Sequence, residues 1–100
     1  AAKPVEVPLD KVPVGGVKEI VYGDKPAIIM RSAEAVYALS RMCTHLACTV
    51  AWQPAQKEFH CPCHEGRYDQ FGNVLSGPPP APLEQLPVKV EGNKIVVGNA

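Results

Sequence analysis

Cysteine and histidine side chains that could bind a metal are concentrated in about a quarter of the chain. The first group, called here the first box, has the sequence C-T-H-L-A-C and occupies residues 43–48. The second box, C-P-C-H-E-G-R-Y, occupies residues 61–68, and together the boxes hold all four cysteines of the chain. Ligand-type residues packed so closely indicate a metal site rather than scattered core positions.

Each box offers one thiolate and one imidazole as candidate metal ligands. Cys43 and His45 are separated by one residue, and Cys61 and His64 by two. Two thiolates and two imidazoles suit either tetrahedral zinc or an iron–sulfur centre in which histidines hold one of the irons. Such a centre is less negative than an all-cysteine cluster and is therefore easier to reduce. The ligand types alone leave both centres open.

The two other cysteines lie close to these candidate ligands. Cys48 follows His45 by three residues, and Cys63 directly precedes His64. The economical interpretation is a disulfide that joins the two boxes and holds their loops together. The alternatives are extra zinc ligands or free thiols. A disulfide would indicate an oxidising compartment such as the bacterial periplasm, whereas reduced cysteines on zinc would suit a cytosol.

The two boxes resemble those of the Rieske iron–sulfur proteins of quinol-oxidising cytochrome bc complexes, whose motifs are C-T-H-L-G-C and C-P-C-H-G-S-x-Y. The resemblance is specific over residues 42–82 and implies one [2Fe-2S] cluster, four cluster ligands and one disulfide. The implied ligands are Cys43, His45, Cys61 and His64, and the implied disulfide joins Cys48 to Cys63.

The proline run after the second box also resembles the family, in which a G-P-A-P-type loop covers the cluster. Gly77 precedes Pro78, Pro79 and Pro80 here, and the resemblance implies a lid, although such a run could also be a stiff polyproline connector. Leu46 would shield the cluster from water or simply fill the domain. The remaining candidates, Trp52 and His60, fall outside the motifs and are expected to be ordinary side chains of the β-structure.

The boxes depart from the family pattern at three positions. Ala47 and Glu65 stand where the family has glycine, and Gly66 stands where it has a serine whose hydroxyl donates to a cluster sulfide. Tyr68 keeps the family's other hydroxyl donor, which points at a cysteine sulfur. Such donors stabilise the reduced, more negative cluster, so the loss of one should lower the reduction potential. An ionised Glu65 would act in the same direction.

Length and composition bound the remaining possibilities. One hundred residues correspond to one small domain, which would benefit from a disulfide and a metal centre. Ten basic and ten acidic side chains leave no net charge, so we expect no nucleic-acid partner. No apolar run is long enough to span a bilayer, so we expect membrane contact only through a segment absent from this chain.

The pattern of turns and β-branched residues predicts an all-β fold. Residues 3–14 alternate apolar and polar positions with prolines, which suits an edge strand. Further strands are predicted at 17–22, 27–31, 36–40, 49–52, 58–60, 67–69, 86–91 and 94–97. The resemblance implies a Rieske fold, with an antiparallel β base of residues 1–41 and 83–100 and an inserted cluster-binding subdomain at about 42–82.

The resemblance further implies a one-electron carrier in a quinol–cytochrome c oxidoreductase, not catalytic as an isolated chain. Quinol, for example menaquinol, would contact His64, which would take the proton, and the electron would pass to a c-type cytochrome. The implied partners are cytochrome b and c-type subunits, with this chain a soluble domain on the periplasmic or other extracytoplasmic side of an energy-transducing membrane. The alternatives are a soluble or periplasmic Rieske carrier, the small subunit of an enzyme such as arsenite oxidase, and a structural zinc module.

We predict a reduction potential clearly below the upper end of the Rieske range, which extends to roughly +300 mV. The prediction follows from the missing hydroxyl at Gly66 and the added carboxylate at Glu65. A redox titration measures the midpoint directly, and a value near the upper end of the range would contradict the argument.

Overall fold

The structure, a computed structural model, describes residues 3–44, 48–63, 65–77 and 81–98. In these residues the regular structure is β, apart from one turn of 3₁₀ helix at Leu9–Lys11, so the predicted all-β fold is confirmed. None of the described residues forms a helix of the length and apolarity that a membrane crossing requires. The strands are β1 Val5–Pro8, β2 Val17–Tyr22, β3 Lys25–Arg31, β4 Val36–Ser40, β5 Ala51–Gln53, β6 Glu58–His60, β7 Arg67–Asp69, β8 Val74–Ser76, β9 Gln85–Leu86, β10 Val88–Glu91 and β11 Lys94–Val97.

The chain divides into two compact units. The base unit comprises Ala1–Ser40 and Gln85–Ala100, and the loop unit comprises Arg41–Glu84. The loop unit contains both boxes and spans the stretch of about 42–82 that the resemblance marks as an inserted subdomain. Both ends of the loop unit therefore connect to strands of the base unit, which are β4 and β9.

The base unit is built from two antiparallel sheets. Their strand orders are β1-β11-β10 and β2-β3-β4-β9. Side chains from both sheets form one apolar core, in which Ile29 and Ala38 of the second sheet meet Ile95 and Val97 of the first. Strand β3 is buried along Ala27, Ile28, Ile29 and Met30, which explains its unbroken apolar sequence.

Two strand predictions in the base unit are wrong, each for a local physical reason. The single edge strand predicted for residues 3–14 ends at Pro8, because the 3₁₀ turn follows and the carbonyls of Leu9 and Val12 have a side chain as their hydrogen-bond partner. That partner is Arg31, whose Nη1 donates to the carbonyls of Leu9 at 3.2 Å and Val12 at 2.9 Å. The strand predicted for residues 86–91 is interrupted at Pro87, which has no N–H to donate. Strand β9 therefore pairs with β4, while β10 pairs with β11 in the other sheet.

The loop unit contains a four-stranded antiparallel sheet of order β5-β6-β7-β8. Phe59 of β6 lies opposite Trp52 of β5 and Tyr68 of β7, so the three aromatic residues share one face. Phe59 and Tyr68 are fully buried, and the Trp52 and Phe59 ring centroids are 4.8 Å apart. These aromatic side chains form part of the apolar core of the loop unit. Strand β5 begins two residues later than predicted, at Ala51.

Strand β8 was not predicted from the sequence, and a single aspartate organises the turn that leads to it. Asp69 Oδ1 accepts hydrogen bonds from the backbone N–H groups of Phe71 and Asn73, each at 2.9 Å. Its Oδ2 accepts a bond from Asn73 Nδ2 at 3.1 Å. The carboxylate therefore accepts hydrogen bonds from the backbone donors of the turn between β7 and β8, which reverses the direction of the chain.

We expect Asp69→Ala to destabilise the protein by about 1–2 kcal/mol, because it leaves the turn donors without their acceptor. Asp69→Asn retains one acceptor oxygen and should cost less. Asp24→Ala is a matched control, since Asp24 occupies the exposed turn between β2 and β3. Urea unfolding measures the three changes, and an equal loss in the Asp24 and Asp69 variants would contradict the assigned role.

Candidate metal centre

The first box is a six-residue loop closed at its base by backbone hydrogen bonds. The N–H of Cys43 donates to the carbonyl of Cys48 at 2.7 Å, and the N–H of Val50 donates to the carbonyl of Arg41 at 2.7 Å. A single β-bridge between Met42 and Thr49 continues this pairing. Cys43 is buried at the start of the loop.

The second box contains a loop of the same size, set between two strands. His60 at the end of β6 and Arg67 at the start of β7 are cross-strand partners, so residues 61–66 form the hairpin loop. The N–H of Cys61 donates to the carbonyl of Gly66 at 2.8 Å, and the N–H of Glu65 donates back to Cys61 at 3.1 Å. In both loops a buried cysteine comes first, and its N–H bonds to the carbonyl of the sixth residue.

A disulfide joins Cys48 to Cys63 and thereby links the two loops. Their Cα atoms are 6.5 Å apart, within the range that such a bond spans. The other two cysteines, Cys43 and Cys61, are buried and take no part in a disulfide. Two buried thiols on linked loops supply the soft ligands that an iron or zinc centre requires, so the residues present fit a metal centre.

Several residues that the sequence assigns to the site lie outside the described part of the chain. These are His45, Leu46, Ala47, His64, Pro78, Pro79 and Pro80. Within the described residues, no group of three or more metal-binding side chains comes together. The roles predicted for these residues stay predictions.

Tyr68 connects the second box to the first. Its hydroxyl oxygen lies 3.4 Å from Sγ of Cys43 and accepts a hydrogen bond from the N–H of Thr44 at 3.2 Å. Burial raises the pKa of Tyr68, and the contact with Cys43 raises that pKa further. The phenol is therefore a neutral hydroxyl at neutral pH, with one proton to donate.

Thr44 is part of this hydrogen-bond network, a role that the sequence did not reveal. Its hydroxyl donates to the carbonyl of Ala81 at 2.6 Å and lies 3.2 Å from the hydroxyl of Tyr68. The carbonyl can only accept, so the threonine proton points to Ala81. The Tyr68 proton then goes to Thr44 Oγ1 or to Cys43 Sγ, the two acceptors within reach. The only sequence signal was a hydroxyl next to a ligand-type cysteine.

Gly77, the residue before the proline run, packs against the second box. Its φ is +96°, and a Cβ added there would lie 2.7 Å from the Cα of Gly66. Both the backbone conformation and the close approach therefore require glycine at this position. Gly66 itself is buried and has no hydroxyl to donate.

Glu65 is exposed and has a left-handed backbone conformation, with φ at +57°. This conformation costs a residue with a Cβ roughly 1–2 kcal/mol, which explains why a glycine suits the position. The departure from the family pattern thus replaces a favourable residue with a strained one that adds a carboxylate to the loop.

A group of polar side chains lies on the sheet face opposite Phe59 and Tyr68. Glu58 accepts hydrogen bonds from Arg67, Nε to Oε1 at 2.8 Å and Nη2 to Oε2 at 2.6 Å, and its Oε1 lies 3.0 Å from His60 Nε2. The bonds from Arg67 and then from His60 lower the pKa of Glu58 to about 2. The sequence predicted His60 only as a strand side chain and did not reveal these partners.

The fold and the two loops define a class of protein, a β-domain that presents two buried cysteines on disulfide-linked loops. A family model for the Rieske [2Fe-2S] domain matches residues 3–87, and the chain belongs to this family. The cofactor of this family is one [2Fe-2S] cluster, which favours the iron–sulfur interpretation of the boxes over zinc.

Comparisons with known proteins give the same assignment. The cytochrome b6-f complex iron-sulfur subunit of Chlorobaculum tepidum is 42% identical over 93 residues, covering 93% of this chain and 51% of the relative. A chain of a hyperthermophilic respiratory Complex III has a TM-score of 0.76 at 38% identity, covering 90% of this chain and 71% of that one. A plasma membrane Rieske protein of the cyanobacterium Synechocystis has a TM-score of 0.78 at 29% identity, covering 95% and 99%. The chain spans about half the length of the curated relatives it matches.

We expect Glu65→Gly to stabilise the protein by about 1 kcal/mol, because glycine adopts the left-handed conformation without strain. Lys57→Gly is a matched control, since Lys57 has φ at +56° in the turn between β5 and β6. Both variants should resist urea better, but only Glu65→Gly should raise the reduction potential. An equal potential shift in the two variants would contradict an effect of the Glu65 carboxylate.

The bonds to Glu58 predict a dependence of stability on pH. The pKa of Glu58 falls from 4.5 to about 2 on folding, so its contribution to stability is present above pH 4.5. That contribution is lost as the pH falls from 4.5 towards 2. The difference in urea midpoint between the wild type and Glu58→Gln should therefore shrink over this interval. A difference that stays constant with pH would show that the carboxylate is not stabilised by folding.

Proposed function

We propose that the chain is the cluster-carrying domain of the iron–sulfur subunit of a quinol-oxidising cytochrome bc or b6-f complex. In this role it takes one electron and one proton from a quinol and passes the electron to a c-type cytochrome. The observation that carries the proposal is the pair of disulfide-linked six-residue loops, each beginning with a buried cysteine. The names of the relatives support it, since they are iron–sulfur subunits of cytochrome b6-f complexes.

Cys43 and Cys61 are the proposed thiolate ligands, because both are buried and lie outside the disulfide. His45 and His64 are the proposed imidazole ligands, on the basis of the family motifs. When bound, the [2Fe-2S] cluster supplies a centre that accepts and releases one electron. The Tyr68 hydroxyl lies 3.4 Å from Cys43 Sγ, and with its proton directed to that sulfur it would stabilise additional negative charge there.

His64 is the proposed contact for the quinol hydroxyl and the proposed proton acceptor. Leu46, Pro78 and Pro79 would exclude water from the centre. Support for a lid comes from the residues on either side of the proline run. Gly77 packs against Gly66, and Ala81 accepts the hydrogen bond from Thr44.

The absence of a hydroxyl at Gly66 and the carboxylate of Glu65 both favour a low reduction potential. A carrier of low potential suits a quinol of low potential, and menaquinol is the proposed substrate. The proposed location is the extracytoplasmic side of an energy-transducing membrane. The partners there would be cytochrome b and a c-type cytochrome, in keeping with the complexes to which the relatives belong.

Electron paramagnetic resonance of the dithionite-reduced protein tests the centre, and titration of the same signal gives its midpoint. A Rieske signal of low average g with a midpoint well below the upper end of the family range is expected. Stoichiometric zinc with no signal would overturn the electron-transfer role. A midpoint near the upper end would retain the centre and contradict menaquinol as the substrate.

A further inference from the structure

The polar group around Glu58 is placed at the base of the second ligand loop. His60 directly precedes Cys61, the first residue of that loop, and Arg67 directly follows Gly66, the last. Both side chains contact the carboxylate of Glu58. One carboxylate thus holds both ends of the loop, and we refer to Glu58, His60 and Arg67 as the Glu58 clamp.

We propose that the Glu58 clamp is a positioning device for the metal centre, which fixes the backbone on both sides of the second ligand loop and thereby the positions of Cys61 and Tyr68. The proposal deepens the proposed function and rests on Cys61 being a cluster ligand. None of the three side chains contacts Cys43 or Cys61 in the hydrogen bonds described, so the clamp acts through the backbone of β6 and β7.

The strands on either side of the loop need such support. Strands β6 and β7 have three residues each, and the pairing of β7 with β8 is irregular between Arg67 and Tyr68. Short strands offer few backbone bonds to resist a change in register. A guanidinium that donates two hydrogen bonds to one carboxylate fixes both the distance and the relative direction of neighbouring strands.

The carboxylate of the clamp is less exposed than the carboxylates of the other ion pairs described, whereas its partner Arg67 is 46% exposed. The Glu58 side chain is 17% exposed, whereas Glu6 in its pair with Lys94 is 58% exposed and Glu91 in its pair with Lys89 is 50% exposed. Ion pairs that water reaches freely contribute little. The low pKa of Glu58 agrees with a carboxylate that its two partners hold in the ionised form.

A displacement of the Glu58 clamp would move residues that belong to or contact both boxes. Arg67 is followed by Tyr68, which points to the opposite face and contacts Cys43 and Thr44 of the first box. On the β6 strand, His60 is followed by Cys61. A shift of β7 relative to β6 would therefore move a ligand and the hydroxyl that contacts the other cysteine at the same time.

Opposite charge changes separate positioning from simple electrostatics. Glu58→Gln removes a negative charge and Arg67→Gln removes a positive one, so a purely electrostatic effect would move the reduction potential in opposite directions. A positioning role predicts that both variants lose the cluster about tenfold faster than the wild type, as the loss of a charge-assisted hydrogen bond would allow. The double variant should be no worse than the worse single one, because the residues act as a unit.

The measurements are the decay of visible absorption at raised temperature, the shape of the paramagnetic resonance signal, and hydrogen exchange of the Cys61 and Glu65 amides. Both amides bond within the loop, so exchange reports on the chain itself. Glu6→Gln is the matched control, since it removes an exposed ion pair of the base unit. Arg67→Lys keeps the positive charge but cannot form the bidentate hydrogen bonds, and it provides a milder variant should the others fail to fold.

Faster cluster loss, a broadened signal and faster amide exchange in both Glu58→Gln and Arg67→Gln would support the proposal. It would be overturned if cluster loss matched the Glu6→Gln control, or if the potentials moved in opposite directions with cluster loss and exchange unchanged. Failure of the wild type to bind an iron–sulfur cluster would remove the proposed function instead. The exchange of the Cys61 amide would still decide whether the clamp orders the loop.

Discussion

A metal centre assembled from two separate stretches of chain requires that each stretch keep its shape without the support of a regular strand. In this protein the requirement is met by a hydrogen bond from the N–H of each leading cysteine to the carbonyl five residues later. Because that bond uses the backbone of Cys43 or Cys61, it also limits the directions in which the cysteine sulfur can point. Buried backbone groups of the loop thereby find partners that they would otherwise lack. The disulfide then links two loops that are already closed.

The aromatic side chains of the β5–β8 sheet supply apolar core to the loop unit. Phe59 and Tyr68 are fully buried, and each such side chain contributes about 1.5–3 kcal/mol when it is removed from water. Tyr68 does more than fill space, because a buried hydroxyl without partners would be costly. Its partners, Cys43 and Thr44, lie in the first box, so the burial of the ring in the β5–β8 sheet also fixes the first box relative to the second.

Much of this arrangement could be predicted from the sequence. The strands β2, β4, β6, β7 and β11 lie at the predicted residues, because clusters of β-branched and apolar residues between turn residues define strands locally. The boxes and the disulfide followed from a family motif that is dense in rare residues. Strand β8 was missed because its three residues are all exposed, so they carry no alternation that marks a buried face.

Other features depended on partners that are distant in sequence. The 3₁₀ turn after Pro8 is supported by Arg31, which lies 22 residues from Leu9. The Glu58–Arg67 pair depends on the register of β6 against β7. A pattern of apolar positions does not determine which polar side chains of the two strands become neighbours. The division of one predicted strand at Pro87 could have been anticipated from the missing N–H, but its assignment to two different sheets required the whole topology.

The bonds that close the two loops involve only main-chain atoms. Side chains inside the loops can therefore be exchanged by mutation without dismantling the closure, provided that the backbone conformation is tolerated. Glu65 and Gly66 illustrate this freedom, since they occupy positions at which the family motif C-P-C-H-G-S-x-Y has glycine and serine. Successive substitutions inside the loops would thus retune the electrochemistry of a bound cluster in small heritable steps, while the scaffold that carries the centre stays the same.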